Sequence, residues 1–335
     1  MATWHVAGPP QVSILCSTYN HIAFLRDAIA GFMGQLTSFP FEVILKDDAS
    51  TDGTTHLVRE FAELYPRIIR IHCNKTNEYN LGKRSRRFLE MARGRYLATC
   101  EGDDYWIHPL KLQYQWELLD AHLELIFCGG ITLCGEDGAT IATVMQPMDT
   151  AAYYSPKELI ADNFLHNSTF FCRSWAWQWL FENFHASVPN GDRVKKIILA
   201  TLGGAGFIYE PLSFYRIHSA GVWSVLRPQV WFEKQAITDR HIDRFTRGRY
   251  RRHFLAHLRQ NYWGTLYVLH CQDRRAAMTA VPSMLIAARQ PLLLFDTVRF
   301  YTAGFRQMLR TLQARLMVRL KTLLRSCLSR FDRHT

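Results

Sequence analysis

The stretch that decides the fold reads Tyr96-Leu97-Ala98-Thr99-Cys100-Glu101-Gly102-Asp103-Asp104-Tyr105-Trp106. It opens as a short apolar strand and ends in three carboxylates within four residues. Like charges at a buried strand end repel one another and are costly to desolvate, so we expect a cation to balance them. An oxygen-rich cluster suits a hard divalent ion, Mg²⁺ or Mn²⁺. The alternative is that these acids only precede a helix N-terminus near Pro109.

Two earlier strands also end in polar residues. A predicted strand over residues 12–16 leads to Ser17-Thr18-Tyr19-Asn20, where Asn20 is a candidate N-cap, and one over residues 41–45 leads to Lys46-Asp47-Asp48. Strands that alternate with helices predict an α/β fold, a mostly parallel sheet with helices on both faces. Ligands of such sheets bind beyond the carboxyl ends of the strands. The three polar strand ends therefore predict one site.

Composition and cysteine usage define the class of protein. The chain has 335 residues, of which 48% are hydrophobic and 21% charged, as in a folded globular protein. Its eight cysteines form neither CxxC pairs nor zinc-type spacings, which favours a reducing compartment. No stretch resembles a signal peptide, and no apolar run is long enough to cross a bilayer. We expect a cytoplasmic protein.

The C-terminal part has a different pattern. From residue 229 the chain is predicted to be helical, with breaks at Gly264, Pro282 and Pro291, which divides it into a domain over residues 1–225 and a helical region over 226–335. Residues 301–335 carry eight Lys and Arg against one acid, beside a leucine-rich face. A basic amphipathic helix suits an anionic membrane surface, which would place the protein peripherally at the inner face of the cell membrane. The alternative is that this helix packs on its own protein.

Further motifs lie between these regions. Asp137-Gly138 predicts a hairpin turn, and Ser155-Pro156-Lys157-Glu158 predicts a capping box. His166-Asn167-Ser168-Thr169 either faces a second substrate or begins a strand. Asp192 opens a helix, where it is a candidate cap. His218, in Tyr215-Arg216-Ile217-His218, carries no signal by itself.

Three of these motifs, taken in order, resemble family 2 glycosyltransferases. They are Val12-Ser13-Ile14-Leu15-Cys16-Ser17-Thr18-Tyr19-Asn20, Asp47-Asp48-Ala49-Ser50-Thr51-Asp52-Gly53-Thr54 and Glu101-Gly102-Asp103-Asp104. The resemblance covers about residues 10–225 and implies the A-type nucleotide-sugar fold, Rossmann-like with an Asp-x-Asp metal motif. The sequence departs from the family at Glu101, where Asp is more frequent, while the metal-binding Asp positions are kept.

The resemblance implies a metal-dependent inverting glycosyltransferase, using a nucleotide-diphosphate sugar (a UDP-sugar before others) and Mg²⁺ or Mn²⁺. The acceptor would be a hydroxyl of a glycan or lipid-linked molecule in bacterial surface polysaccharide biosynthesis. The nucleotide-sugar residues implied are Ser17, Tyr19, Asp48, Lys83, Arg84, Glu101 and Asp103. The metal ligands implied are Asp103, Asp104 and His218, and the base that deprotonates the acceptor is Asp192.

Two other classes of protein compete with this interpretation. A nucleotidyltransferase that makes nucleotide sugars shares the sheet type and the metal, but it needs a glycine-rich phosphate loop near residue 15, which the sequence lacks. A non-catalytic adaptor for membranes or nucleic acid would explain the basic tail. It would leave the acidic strand ends unexplained, because carboxylates repel phosphates unless a metal intervenes. We therefore expect no nucleic-acid partner.

Overall fold

A computed structural model of the chain describes residues 8–78, 89–136, 140–147, 151, 153–223 and 226–301. Within these ranges one sheet of nine strands runs in the order β3-β2-β1-β4-β8-β6-β9-β5, and β7 pairs with β6. The strands are β1 (Val12–Thr18), β2 (Phe41–Asp47), β3 (Ile69–Cys73), β4 (Tyr96–Thr99), β5 (Tyr105–Trp106), β6 (Leu125–Glu136), β7 (Thr140–Met145), β8 (Phe171–Arg173) and β9 (Gly204–Arg216).

The sheet changes character in its middle. β3, β2, β1 and β4 are all parallel. β8 is antiparallel to both β4 and β6, β9 is parallel to β6, and β5 is antiparallel to β9. The predicted α/β class is confirmed, and its parallel half is the part built from the alternating strands and helices of the N-terminal sequence.

Ten α-helices fall within the described ranges. They are α1 (Leu25–Met33), α2 (Thr54–Leu64), α3 (Lys111–Ala121), α4 (Pro156–Ala161), α5 (Ser174–Asn183), α6 (Gly191–Leu199), α7 (Pro228–Phe245), α8 (Arg251–Gln272), α9 (Arg274–Ala288) and α10 (Leu292–Arg299). The predicted helical C-terminal region is thus observed from Pro228 to residue 301.

Helices cover both faces of the sheet, as predicted. Successive strand residues enter different cores: Ile14 packs with α1, α2 and α3, whereas Leu15 packs with α4, α5 and α6. Val43 and Ile44 of β2 divide in the same way. This alternation follows from the pleat, which points neighbouring side chains to opposite faces.

Some local predictions were wrong. Asn20 does not cap α1, which begins at Leu25. Asn20 instead has a φ of 55° and accepts a hydrogen bond from the Thr51 N–H at 2.8 Å, which ties the β1 loop to the β2 loop. Gly264 and Pro282 lie inside α8 and α9 and do not end them, because tertiary packing between these helices outweighs local propensity.

Other local predictions hold or fall outside the described ranges. The capping box of Ser155 and Glu158 begins α4 as predicted. β6 and β7 are antiparallel neighbours, while the turn residues Asp137 and Gly138 between them lie outside the described ranges. So do Lys83, Arg84 and residues 302–335. Among the helices that the structure describes, none combines the length and the apolar character needed to span a bilayer.

A buried ion pair joins α6 to the C-terminal helices. The fully buried Arg193 donates from Nε to Asp239 Oδ1 at 2.5 Å and from a terminal nitrogen to the Ile160 carbonyl at 3.1 Å. His257 Nδ1 lies 3.1 Å from Asp239 Oδ2. Because charges removed from water need partners, this network fixes α6 against α4, α7 and α8.

A second buried cation, Lys111, lies at the start of α3. Lys111 is fully buried, and its Nζ donates to Gln115 Oε1 at 2.6 Å and lies 3.8 Å from the ring centroid of Trp106. Burial lowers its pKa to about 7. The folded protein therefore binds fewer protons than the unfolded chain above this pH, and stability rises as pH rises.

We predict that Lys111→Met removes this contribution to the pH dependence of stability. Between pH 7 and pH 8, the unfolding free energy of the wild type should rise relative to that of Lys111→Met by about 1 kcal/mol, because the native lysine loses its proton while the unfolded one keeps it. Urea unfolding at both pH values measures the difference, with the exposed Lys157→Met as control. If the difference in unfolding free energy between wild type and Lys111→Met is the same at both pH values, the pKa of Lys111 is not lowered.

Candidate active site

The ends of three strands meet at one edge of the sheet. The Gly102 N–H donates to the Ser17 carbonyl at 2.9 Å, and the Asp48 N–H donates to the Thr18 carbonyl at 3.0 Å. The loops after β1, β2 and β4 are therefore joined through their backbones. This is the convergence that the sequence predicts for parallel strands.

The outer part of this edge carries Ser17, Tyr19 and Asp48. Ser17 and Tyr19 are exposed, the latter by 40%. Asp48 is buried, and its Oδ1 accepts hydrogen bonds from Asn74 Nδ2 at 2.5 Å and from the Glu78 N–H at 3.1 Å. The first two can contact a ligand directly, while the carboxylate of Asp48 is held in place by the loop after β3.

The acids after β4 are packed tightly against the β1 loop. A Cβ added to Gly102 would lie 2.8 Å from Thr18 Oγ1, so this position requires glycine. Asp103 Oδ2 lies 3.2 Å from His218 Nε2 and 3.5 Å from His21 Nε2. Asp103 and His218, both predicted metal ligands, are thus brought together, and they are joined by His21, which no sequence motif singles out.

Asp104, the third predicted metal ligand, is buried deeper. Its Oδ1 accepts a hydrogen bond from the Arg216 N–H at 3.1 Å, and its Oδ2 lies 3.8 Å from His166 Nδ1. Burial, Asp103 and Glu101 raise its pKa well above the ordinary aspartate value. Burial and the nearby Asp192 raise the pKa of Glu101 to about 7. Ionising all three carboxyl groups at once is therefore unfavourable unless a cation joins them.

These residues fit an added cation, although they do not form a ready-made cage. In the described ranges, no group of three or more His, Cys, Asp and Glu side chains is already arranged to hold a metal. Glu101 Oε2, however, is buried and has no hydrogen-bond partner there. An orphaned carboxylate oxygen beside two further carboxyl groups is the chemistry that a hard divalent ion satisfies.

The acids form one wall of a cleft of about 340 Å³. Other parts of its lining come from α6, the segment after β9 and α7. The lining residues are Glu101, Asp103, Asp104, Met145, Asn163, His166, Asn167, Asn190, Asp192, Lys196, Tyr215, Arg216, His218, Gly221, Val222, Trp223, Trp231 and Gln235. The predicted acceptor-side residue Asp192 and the acids after β4 therefore share one space.

Asp192 does not cap α6, because Asn190 does. Asn190 Oδ1 accepts the hydrogen bond of the Arg193 N–H at 3.0 Å. The side chain of Asp192 is 46% exposed on the cleft side. Burial works to raise its pKa, but Lys195, Lys196 and His166 outweigh it and hold the pKa below the ordinary value. Asp192 is thus an ionised carboxylate in the cleft without a capping role.

Two further residues of the site, Asn167 and Lys195, have no clear signal in the sequence. Asn167 lies in a 3₁₀ turn before β8 and donates from Nδ2 to Glu101 Oε1. Its Oδ1 accepts from Lys195 Nζ at 2.5 Å. From the sequence alone, residues 166–169 could either face a second substrate or begin a strand. His166 and Asn167 line the cleft, residues 167–169 form the 3₁₀ turn, and β8 begins only at Phe171.

Comparison with protein families adds an independent observation. Residues 13–181 match the model of glycosyl transferase family 2. An uncharacterized protein of Mycobacterium tuberculosis is 36% identical over 213 residues, 63% of this chain and 60% of that protein. The putative teichuronic acid biosynthesis glycosyltransferase TuaG of Bacillus subtilis is 28% identical over 164 residues, 49% of this chain and 60% of that protein. The matches thus span about 60% of the length of these relatives.

Solved structures share the fold. Staphylococcus aureus TarS 1-349 in complex with UDP superposes with a TM-score of 0.61 at 16% identity, covering 89% of this chain and 91% of that one. The mannosyltransferase PcManGT of Pyrobaculum calidifontis, in complex with GDP-Man and Mn²⁺, gives a TM-score of 0.54 at 20% identity over 96% and 90% of the two chains. At these identities the likeness concerns the fold alone.

Proposed function

Because this chain belongs to glycosyl transferase family 2, we propose that it moves a sugar from a nucleotide-diphosphate sugar, most readily a UDP-sugar, to a hydroxyl of a glycan or lipid-linked acceptor, with inversion at the anomeric carbon. The observation that carries the proposal is the ionised Asp192, which lines the same cleft as the acids after β4. A relative named for teichuronic acid biosynthesis supports a role in bacterial surface polysaccharide biosynthesis.

The donor would bind along the joined strand ends. Ser17, Tyr19 and Asp48 would contact the base and ribose, since a carboxylate can accept from both a uracil N–H and a ribose hydroxyl. Glu101, which lines the cleft, would lie toward the ribose and phosphates. Lys83 and Arg84 would add positive charge near the phosphates. A fold neighbour with bound UDP supports this placement.

Asp103, Asp104 and His218 would hold Mg²⁺ or Mn²⁺, and the metal would stabilise charge on the departing diphosphate as a Lewis acid. The Asp103–His218 contact and the orphaned oxygen of Glu101 support a cation at this place. So does the Mn²⁺ in the PcManGT complex. Arg216 would orient Asp104 through its N–H and Asp103 through a 2.8 Å hydrogen bond to the Asp103 carbonyl.

The transfer step follows from the position of Asp192. Its carboxylate takes the proton of the acceptor hydroxyl while the acceptor oxygen bonds to the anomeric carbon. The bond between that carbon and the diphosphate oxygen breaks, and its electron pair leaves with the nucleoside diphosphate. Attack opposite to the leaving group inverts the configuration. On this proposal, residues 1–225 bind the donor and perform the reaction, and the helices from residue 226 support the acceptor side.

We predict that Asp103→Asn and Asp104→Asn each lower transfer activity at least about a hundredfold, because a charged ligand of the cation is lost. Donor binding, measured by calorimetry, should also lose its response to Mn²⁺. Asp120→Asn, at an exposed position of α3, is the matched control. Full wild-type activity in saturating chelator would refute the proposed requirement for a divalent metal ion, whatever donor is used.

Asp192→Asn should leave the melting temperature and donor affinity near wild type, since Asn190 provides the helix cap. Turnover with acceptor should fall by roughly a hundredfold to ten-thousandfold, the usual contribution of a general base. Thermal unfolding and calorimetry with donor check the first two quantities, and product formation from a panel of nucleotide sugars at saturating concentration measures the turnover. Transfer at the normal rate would move the search for the base to Glu210 or the acids after β4.

We also propose that the basic C-terminal segment holds the protein at an anionic membrane surface. The described helix that leads to it supports this, because α10 exposes Leu292, Leu294 and Phe295, the last by 71%. An apolar face beside a strongly basic segment is the pattern of an interfacial helix. The inner face of the bacterial cell membrane would offer both the anionic lipids and a lipid-linked acceptor.

Deleting residues 302–335 should reduce sedimentation with anionic vesicles while hydrolysis of soluble donor continues, since each basic residue near such a surface contributes on the order of 1 kcal/mol. Vesicles of neutral lipid are the control, and they should sediment neither form. Unfolding or aggregation of the shortened protein would show instead that the segment packs on the protein itself.

A further inference from the structure

Lys195 is enclosed beside the proposed base. Its side chain is 7% exposed, and its Nζ lies 4.6 Å from the ring centroid of Phe170 and 4.4 Å from that of Trp177. The ammonium lies 3.4 Å from Asp192 Oδ1 and donates to Asn167 Oδ1 at 2.5 Å. Two aromatic faces and two oxygens therefore define one position for this charge.

This environment distinguishes the pair from an ordinary ion pair on a helix. Exposed pairs three residues apart contribute little to stability, because water competes for both partners. Here the lysine is removed from water, so its charge must be met by protein oxygens. Asp192 Oδ1 is engaged in this way, which leaves Oδ2 to receive a proton from an acceptor.

Asn167, which accepts the hydrogen bond of Lys195, is itself held in one orientation. Asn167 offers its carbonyl oxygen to Lys195 and its amide nitrogen to Glu101 Oε1, and its backbone carbonyl accepts from Thr99 Oγ1 at 2.6 Å. The amide cannot turn over without placing like groups against each other on both sides. Asn167 therefore joins the donor side of the cleft to the lysine.

We propose that Lys195, anchored by Asn167, is a positioning residue that aims the carboxylate of Asp192 and keeps it ionised. The inference rests on the proposed function, since it assigns a task to the proposed base. The charged groups that face Asp192 are Lys195 and Lys196 of α6, His166 before the 3₁₀ turn, and Glu101 after β4. Of the cations, Lys195 lowers the pKa of Asp192 most.

The test is the pH dependence of transfer by Lys195→Met and Lys195→Arg. Lys195→Met should lower kcat about tenfold with little change in donor KM, and its activity should be lost on acidification about one pH unit above the point where wild type loses it, because a carboxylate without its nearby cation takes up a proton more readily. Lys195→Arg keeps the charge and should keep the wild-type profile. Lys157→Met, an exposed lysine, is the matched control.

A double-mutant cycle separates this inference from the proposed function. In an Asp192→Asn background, Lys195→Met should cause no further loss, because the group it positions is gone. If Asp192→Asn alone transfers normally, the base assignment fails and the cycle shows it. If Asp192→Asn is impaired but a folded Lys195→Met keeps the wild-type pH profile, the positioning role is refuted. Should Lys195→Met not fold, Asn167→Ala repeats the test with the lysine present, and an unchanged profile there also refutes the role.

Discussion

The mutual repulsion of three carboxylates at the end of β4 is the constraint on which the site depends. Asp104 is buried, Asp103 is largely enclosed and Glu101 has one buried carboxylate oxygen, so each needs a donor or a cation. The fold supplies these from distant parts of the chain: Arg216 and His218 from the end of β9, and Asn167 from the turn before β8. The half of the sheet that contains antiparallel pairs thus positions the donors that the acids after the parallel strand β4 need.

The sequence predicted the features that depend on local pattern. Strand ends such as Ser17 and Asp48 could be located because apolar runs stop there, and parallel strands bring their ends together. It could not reveal the partnership of Asn167 with Lys195, because neither residue stands out in its own segment and their contact depends on how α6 packs. Gly264 and Pro282 were mistaken for helix breaks for the same reason, since packing between α8 and α9 decides there.

The two sides of the cleft differ in electrostatic character. Near Asp104 the carboxyl pKa values are raised by burial and by neighbouring acids, whereas burial at Asp192 is outweighed by lysines from its own helix. On the proposed function, these carboxyl groups of one cleft would have opposite tasks, one to hold a cation and the other to accept a proton. The family model ends at residue 181, before α6, so this division of roles lies partly outside the matched region.

The Arg193–Asp239 pair has a consequence for how such proteins recombine. A chimera joined at residue 181 would inherit both members of the pair from one parent, whereas a junction at residue 225 would separate them and leave a buried guanidinium facing a foreign helix. Loss of one partner of a buried pair costs about 3–5 kcal/mol, a large share of the stability of a typical domain. The unit that can be exchanged intact therefore includes α6 together with α7 and α8. This unit crosses the predicted boundary between the domain over residues 1–225 and the helical region over 226–335.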